Sequence, residues 1–165
     1  MKNDKSLPVY GVGPIYGIFV FLITAAGIVL HCTGLLKSGE AENSAIKVIF
    51  IVSGVLLIAA GVAMWITAVP VNRIDQSIKS NSLKTTGVYG IVRNPIYSAI
   101  MFACTGALLC CSNYWLLIAP VIFYVFLTVL MIFTEEKWLE SAFGEEYLAY
   151  CKRVNRCIPL FPRGK

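Results

Sequence analysis

Three long runs without a charged side chain constrain the fold of this sequence more than any other feature. They cover residues 13–36, 48–71 and 94–134, and the third is long enough for two membrane spans of about twenty residues each. Within a bilayer every backbone amide and carbonyl needs an internal partner, so apolar segments of this length form helices. The sequence therefore predicts an all-α integral membrane protein.

We predict four transmembrane helices in a single membrane domain covering residues 1–165. The approximate spans are residues 14–36, 48–71, 95–111 and 114–133. Spans three and four form a helical hairpin, because only the short polar sequence Cys-Ser-Asn separates them. The first run is too long for a removable signal peptide and lacks a small-residue cleavage site, so we expect it to remain as a span.

Lysine and arginine residues set the expected orientation. All but two of the 14 lie in the amino-terminal tail, the second loop and the carboxyl-terminal tail; the exceptions are Lys37 and Lys47. The positive-inside rule places such basic segments in the cytoplasm. We therefore expect an integral protein of a bacterial plasma membrane with both termini cytoplasmic. The net charge of +5 then needs no nucleic acid to explain it.

The six cysteines show no Cys-x-x-Cys spacing, and His31 is the only histidine. A zinc site needs about four converging ligands, so we expect no metal site. We interpret the cysteines as small packing residues and His31 as a packed or interfacial side chain.

The carboxyl-terminal segment, residues 134–165, is charged and amphipathic. We predict a helix that continues from the fourth span, an interruption at Gly144, and a second helix that begins with Glu145 and Glu146. Pro159 and Pro162 are predicted to end this second helix. These cytoplasmic helices are expected to lie along the membrane surface or to fold back over the bundle.

The start of the third span is a candidate binding site. Asn94 is a preferred N-cap residue and Pro95 suits the first helical position. The free amides and the dipole of a helix start attract anions, so a cofactor carboxylate could bind there beside Tyr97 or Tyr89. In the structural alternative, Asn94 only caps the helix, Arg93 anchors it, and Tyr97 lies in an aromatic belt.

A shorter copy of this motif lies near the amino terminus. VYGVGPIYGI (residues 9–18) matches VYGIVRNPIYSAI (residues 88–100) in its Val-Tyr-Gly and Pro-Ile-Tyr segments, but lacks the arginine and asparagine. We therefore interpret the first copy as an anchor and the second as half of a binding site.

Two adjacent carboxylates, Glu135 and Glu136, follow the predicted fourth span. Acidic groups so near a membrane need water, a partner or a cavity. Arg93 begins the third span at the same end of the predicted hairpin, so we expect it to lie close to both. The group is either a simple salt bridge or a site for a cationic or hydroxylated ligand.

An ordered set of segments fills the second half of the chain: TTGVYGIVRNPIY (residues 85–97), a helical hairpin, TEEKWLESAFGEEYLAYCKRV (residues 134–154) and a closing Ile-Pro. Together they resemble the isoprenylcysteine carboxyl methyltransferase family. That family belongs to a wider group of small membrane methyltransferases that includes phospholipid N-methyltransferases. The resemblance implies S-adenosylmethionine as methyl donor, bound at the cytoplasmic face, and a lipophilic or membrane-partitioned acceptor.

The resemblance also implies roles for individual residues. The family's cofactor contacts correspond to Leu83, Lys84, Tyr89, Asn94, Pro95, Ile96, Tyr97 and Glu135, and we add Arg93 as a neighbour of the two glutamates. Eukaryotic carboxyl-methylating members resemble one another in an arginine shortly before the glutamates, where this chain has Leu-Met-Ile-Phe-Thr. Arg153 and Arg156 are candidates to position the acceptor instead. Glu136 is a candidate base for an ammonium acceptor, which must lose a proton before it can react.

Two other functions stay open at this point. The Tyr-Cys-x-x-Val segment at residues 150–154 also resembles membrane sterol reductases, which would use NADPH. A non-catalytic four-span protein, in which Arg93 and the glutamates are only anchors, is the second alternative. The short second loop favours the methyltransferase over the reductase. The acceptor, a carboxylate, a lipid amine or a thiol, is left open, and no obligatory protein partner is indicated.

Overall fold

The computed structural model describes residues 11–71 and 82–159. Six α-helices form this part of the chain: α1 (Gly13–Cys32), α2 (Ser44–Val71), α3 (Pro95–Cys110), α4 (Ile118–Phe133), α5 (Glu135–Phe143) and α6 (Glu145–Arg153). Short 3-10 helices lie at Lys37–Gly39, Gly87–Gly90 and Tyr114–Leu117. Only two isolated β-bridges occur among the described residues, so the all-α prediction is confirmed for them.

Three segments are long and apolar enough to cross a membrane: Gly13–Cys32, Ser44–Ala68 and Tyr114–Phe143. The predicted span at residues 95–111 corresponds to α3, which is apolar but has 16 residues. At the α-helical rise α3 is about 24 Å long, against a hydrocarbon core of about 30 Å. Residues 1–10, 72–81 and 160–165, which carry part of the positive-inside argument, lie outside the described residues.

Small residues bring α2 and α3 into close contact. A Cβ added at Gly54 would lie 2.6 Å from the carbonyl oxygen of Gly106, and one at Gly61 would lie 2.7 Å from that of Ala99. Membrane helices associate through such interfaces because small residues let the backbones approach. This contact fixes α3, and therefore its amino-terminal end, against the longest helix of the bundle.

The buried core joins α1, α3 and α4. Its fully buried side chains include Tyr16, Val20, Leu108, Phe123, Leu127 and Met131. The last three lie four residues apart and so share one face of α4. α1 and α3 begin at the end of this core where α4 finishes, which brings the polar sequences flanking all three helices together.

At the other end of the bundle, Asn113 joins two connections. Its side chain donates to the carbonyl oxygen of Leu36 at 2.8 Å, and its backbone pairs with that of Glu40. The Trp115 indole donates to the Ser38 hydroxyl at 3.3 Å. These contacts link the chain after α1 to the chain after α3.

The carboxyl-terminal helices differ in one respect from the prediction. α4 does not continue into the tail, because Thr134 (φ −127°, ψ −91°) separates it from α5. Gly144 separates α5 from α6 as predicted, with φ 51°. Tyr147 and Tyr150 of α6 are buried against Leu83 and other apolar side chains, so α6 packs on the protein.

Candidate functional site

Four segments converge at the end of the bundle where α1 and α3 begin. They are residues 11–12 before α1, residues 92–97 at the start of α3, residues 135–136 at the start of α5, and residues 155–157 after α6. Hydrogen bonds and ion pairs connect all four segments. The segments lie far apart in sequence, so only the helix packing brings them together.

The first polar group is the carboxylate of Glu135. Its Oε1 accepts two hydrogen bonds, one from the backbone N–H of Val12 at 2.9 Å and one from the Tyr97 hydroxyl at 2.5 Å. Among the described residues, no hydrogen bond reaches Oε2. Within residues 11–71 and 82–159, Glu135 is therefore a positioned carboxylate whose Oε2 could accept a hydrogen bond from a hydroxyl or ammonium group.

The second polar group is Glu136, which lies between two arginines. Arg156 donates from Nε and Nη2 to the two carboxylate oxygens at 2.6 and 2.9 Å, and Arg93 Nη2 lies 3.3 Å from Oε1. The side chains of Arg93, Glu136 and Arg156 are 9%, 17% and 21% exposed. The hydrogen bonds to Glu136 raise the pKa of Arg156. The predicted proximity of Arg93 and Glu136 is confirmed, and the arginine–glutamate–arginine group carries a net charge of +1.

Arg93 also connects this group to α6. Its Nη1 donates to the Tyr147 hydroxyl at 3.4 Å and to the Cys151 thiol, while its buried Nε has no partner among the described residues. Burial and the nearby charge of Glu136 raise the pKa of Tyr147. The Arg93 guanidinium is thus held by α5 and α6 together.

The start of α3 agrees with the prediction in position but not in capping. Asn94 is the N-cap residue and Pro95 the first helical residue, yet the Asn94 side chain accepts no hydrogen bond from α3. Instead its amide donates to the carbonyl oxygen of Arg156 at 3.2 Å. Asn94 is therefore the N-cap residue by position, but its side chain does not cap the helix, and no side chain of the described residues forms a hydrogen bond with the first-turn amides of Ile96 and Tyr97. Such amides, together with the helix dipole, form an anion-binding group.

Backbone pairing holds the chain after α6 against the start of α3. The N–H of Arg93 donates to the carbonyl of Asn155 at 2.8 Å, and Val92 and Asn155 form a parallel bridge. The Tyr150 hydroxyl donates to the carbonyl of Tyr89 at 2.6 Å. Cys157, two residues after Asn155, is fully buried in the core with residues of α1, α3 and α4, and burial raises the pKa of its thiol to about 12. The tail thus folds back over the bundle, one of its two predicted placements.

The other predicted residues lie around this centre. Leu83 packs against the cluster of Tyr147 and Tyr150, and the Lys84 ammonium lies 5.5 Å from the centre of the Tyr89 ring. Arg153 is exposed near the end of α6, and no ion pair between described residues involves it. The structure therefore brings Arg156, and not Arg153, to the glutamates.

Two contributors to the site were not predicted from the sequence. The shorter motif copy supplies Gly11 and Val12, whose contact with Glu135 makes its interpretation as an anchor incomplete. α6 supplies Tyr147 and Cys151 to Arg93. The repeated Pro-Ile-Tyr segment was the one available signal for the first contributor.

Comparisons with known proteins show which proteins the chain is similar to. A family model described as phospholipid methyltransferase matches residues 48–146. A protein-S-isoprenylcysteine O-methyltransferase of Schizosaccharomyces pombe is 36% identical over 86 residues, which are 51% of this chain and 36% of that protein. The chain therefore covers well under half of that relative. No solved structure matches. The family match includes Arg93, Tyr97 and both glutamates, but not Val12 or Arg156.

Proposed function

The chain belongs to the phospholipid methyltransferase family, and we propose that it transfers a methyl group from S-adenosylmethionine to a lipophilic or membrane-partitioned acceptor. The observation that carries the proposal is the convergence of Glu135, the uncapped start of α3 and the Arg93–Glu136–Arg156 group at one end of an apolar bundle. These polar groups offer complementary partners for a charged cofactor beside a bilayer. The similarity to an O-methyltransferase supports the same reaction class.

The groups at this end of the bundle fit the chemistry of S-adenosylmethionine. Its carboxylate suits the first-turn amides of α3, which the Asn94 side chain does not cap. Its ammonium or ribose hydroxyls suit Glu135 Oε2, which no described residue contacts by a hydrogen bond. We assign Leu83, Lys84 and Tyr89 to the outer part of the same site, because they lie beside the α6 segment that contacts Arg93.

S-adenosylmethionine would supply a methyl group bound to a sulfonium sulfur; an acceptor atom would form a bond to the methyl carbon, and the carbon–sulfur bond would break with its electron pair left on sulfur. The donor is already activated, so the chain's own residues mainly orient two reactants and exclude water. Glu135 and the start of α3 hold the donor in this scheme. The tail, docked through Asn155 and Arg156, covers the site.

The Arg93–Glu136–Arg156 group favours an anionic acceptor, such as a carboxylate. Its net positive charge attracts an anion, and a carboxylate needs no base at neutral pH. Both oxygens of Glu136 accept hydrogen bonds from Arg156, which leaves Glu136 poorly placed to remove a proton from an ammonium. We therefore assign Arg156 and Arg93 to positioning of the acceptor and Glu136 to holding the two guanidinium groups.

Exposed apolar side chains beside this group support a lipophilic acceptor. Ile91, Phe133 and Ile158 are 46%, 66% and 42% exposed, and each lies within two residues of a polar residue of the site. An acceptor with an apolar chain could enter from the bilayer along these side chains. The distribution of basic residues places this end of the bundle on the cytoplasmic side in our proposal.

Calorimetry with the purified protein in detergent tests the proposal. The wild type should bind S-adenosylmethionine, and Glu135→Gln should weaken binding about tenfold or more, because hydrogen bonds to a charged group contribute about 1.5–3 kcal/mol. Glu140→Gln is the matched control, since Glu140 is exposed on the same helix. Its affinity should equal that of the wild type.

Two results would contradict the proposal. Binding of NADPH without binding of S-adenosylmethionine would indicate the reductase. Absence of binding of either cofactor would favour the non-catalytic alternative. An unchanged affinity in Glu135→Gln would show only that Glu135 does not contact the donor. Transfer of a labelled methyl group into a lipid extract would then identify the acceptor class.

A further inference from the structure

We propose that the turn at Gly11 and Val12 belongs to the methyl-donor site, where it positions the Glu135 carboxylate. The inference rests on the proposed function, since it takes Glu135 to bind the donor. It assigns a role to a segment outside the matched family region, which begins at residue 48.

Two hydrogen bonds hold the Glu135 carboxylate in position. Val12 N–H and the Tyr97 hydroxyl approach Oε1 from two different helix starts, those of α1 and α3. Two donors on one oxygen restrict rotation of the carboxylate, so Oε2 keeps one direction. A carboxylate that is already held in position loses less conformational entropy when a ligand binds than a freely rotating carboxylate does. The Val12 amide therefore improves the affinity of Glu135 for S-adenosylmethionine without contacting that molecule itself.

Gly11 lies directly against the Glu135 carboxylate. It has φ +52°, a left-handed conformation that glycine adopts readily and other residues adopt at a cost. A Cβ at this position would also clash with Glu135 Oε1. Position 11 thus favours glycine for two separate reasons, its left-handed φ and the close approach of the Glu135 carboxylate.

The rest of the shorter motif copy packs against Tyr97, which donates the other hydrogen bond to Glu135. The Tyr16 ring lies 5.7 Å from the Tyr97 ring in an edge-to-face arrangement, and Tyr16 is fully buried. A Cβ at Gly13 would lie 3.6 Å from the Tyr97 hydroxyl, so the first turn of α1 passes directly beside it. The start of α1 therefore donates one hydrogen bond to Glu135 and packs around the residue that donates the other.

Gly11→Ala tests this role through the affinity for S-adenosylmethionine, measured by calorimetry in detergent. We expect the affinity to fall about tenfold, since the added methyl group displaces a carboxylate that binds the ligand. Gly34→Ala is the control for backbone strain, because Gly34 has φ +76° and no atom within 4 Å of an added Cβ. Its affinity should stay within about twofold of the wild type.

Glu135→Asp separates contact from strain. The shorter side chain withdraws from the added methyl group, so Gly11→Ala should weaken binding by less than about threefold in that background. An equal loss in both backgrounds would overturn the inference, as would wild-type affinity in Gly11→Ala. If Gly11→Ala fails to fold, recovery of folding in the double variant supports the contact, and failure of both variants to fold counts against it. A wild-type protein that does not bind the donor refutes the proposed function instead.

Discussion

Replacement of Arg156 by alanine tests how the tail is held on the bundle. The variant removes two hydrogen bonds to Glu136, at 2.6 and 2.9 Å. It leaves the backbone bonds intact, because Asn94 donates to the carbonyl of Arg156 and Arg93 to that of Asn155. The measured change therefore reports the side-chain ion pair alone.

The burial of the pair determines the size of the effect. Breaking a fully buried pair costs about 3–5 kcal/mol and breaking an exposed one about 0–1 kcal/mol. The Arg156 and Glu136 side chains are 21% and 17% exposed, and Arg93 remains to balance the carboxylate. We therefore expect a loss of about 2 kcal/mol, which corresponds to an increase of about thirtyfold in the population with an open tail.

Alkylation of Cys157 measures this opening. Cys157 lies in the tail, and its side chain is fully buried against the core of α1, α3 and α4, so N-ethylmaleimide reaches the thiol only when residues 155–158 detach. Mass spectrometry of tryptic peptides distinguishes it from Cys151, because basic residues lie between the two cysteines. Arg153→Ala is the matched control, since Arg153 is exposed and forms no ion pair with a described residue.

The alkylation rates decide between the two outcomes. We expect Arg156→Ala to react about thirty times faster than the wild type, while Arg153→Ala reacts at the wild-type rate. A rate within about twofold of the wild type in Arg156→Ala would refute the reasoning. So would an equal increase in both variants, because a general loss of tail structure would then explain it.

Two further predictions concern packing and pH. Gly106→Ala places a methyl group against the backbone of Gly54 and should lower the free energy of unfolding in detergent by about 1–3 kcal/mol. Gly17→Ala is the control, because no atom lies within 4 Å of its new Cβ, and it should leave that free energy unchanged. Equal melting temperatures for the two variants would contradict the close helix contact. Burial raises the pKa of Cys157 from 9.0 to about 12, so its contribution to stability is full below pH 9 and is lost as pH rises toward 12. The Cys157→Ala variant should lose less stability than the wild type between those pH values, as followed by circular dichroism; parallel curves would contradict the assignment.

The helices could be predicted from the sequence because the signals that specify them are local. Long uncharged runs require helices in a bilayer, and the turn at residues 111–113, the helix start at Pro95 and the break at Gly144 depend on neighbouring residues only. Each was found where it was predicted. The break at Thr134 was not predicted, because threonine is common within membrane helices and carries no stop signal of its own.

The partners of the polar residues could be predicted only where two helices meet through a short turn. Arg93 was predicted to lie near Glu136 on this ground, and the ion pair at 3.3 Å agrees with the prediction. The short turn gave no means to choose between Arg153 and Arg156, which are three residues apart, because the choice depends on how the chain turns after α6. For the same reason, the sequence did not show that the Asn94 side chain leaves the first turn of α3 uncapped and donates to the carbonyl of Arg156 instead.

The sequence by itself determined a helical membrane protein with its charged groups collected near a few helix ends. Hydropathy and charge act on each segment separately, so they can be evaluated without knowing the neighbours. Only the tertiary structure decided that Val12, Tyr97 and Glu135 form one unit, since these residues lie in three segments that meet through the packing of α1, α3 and α4. Packing depends on the shapes of all the helices at once, and the site is a product of that packing.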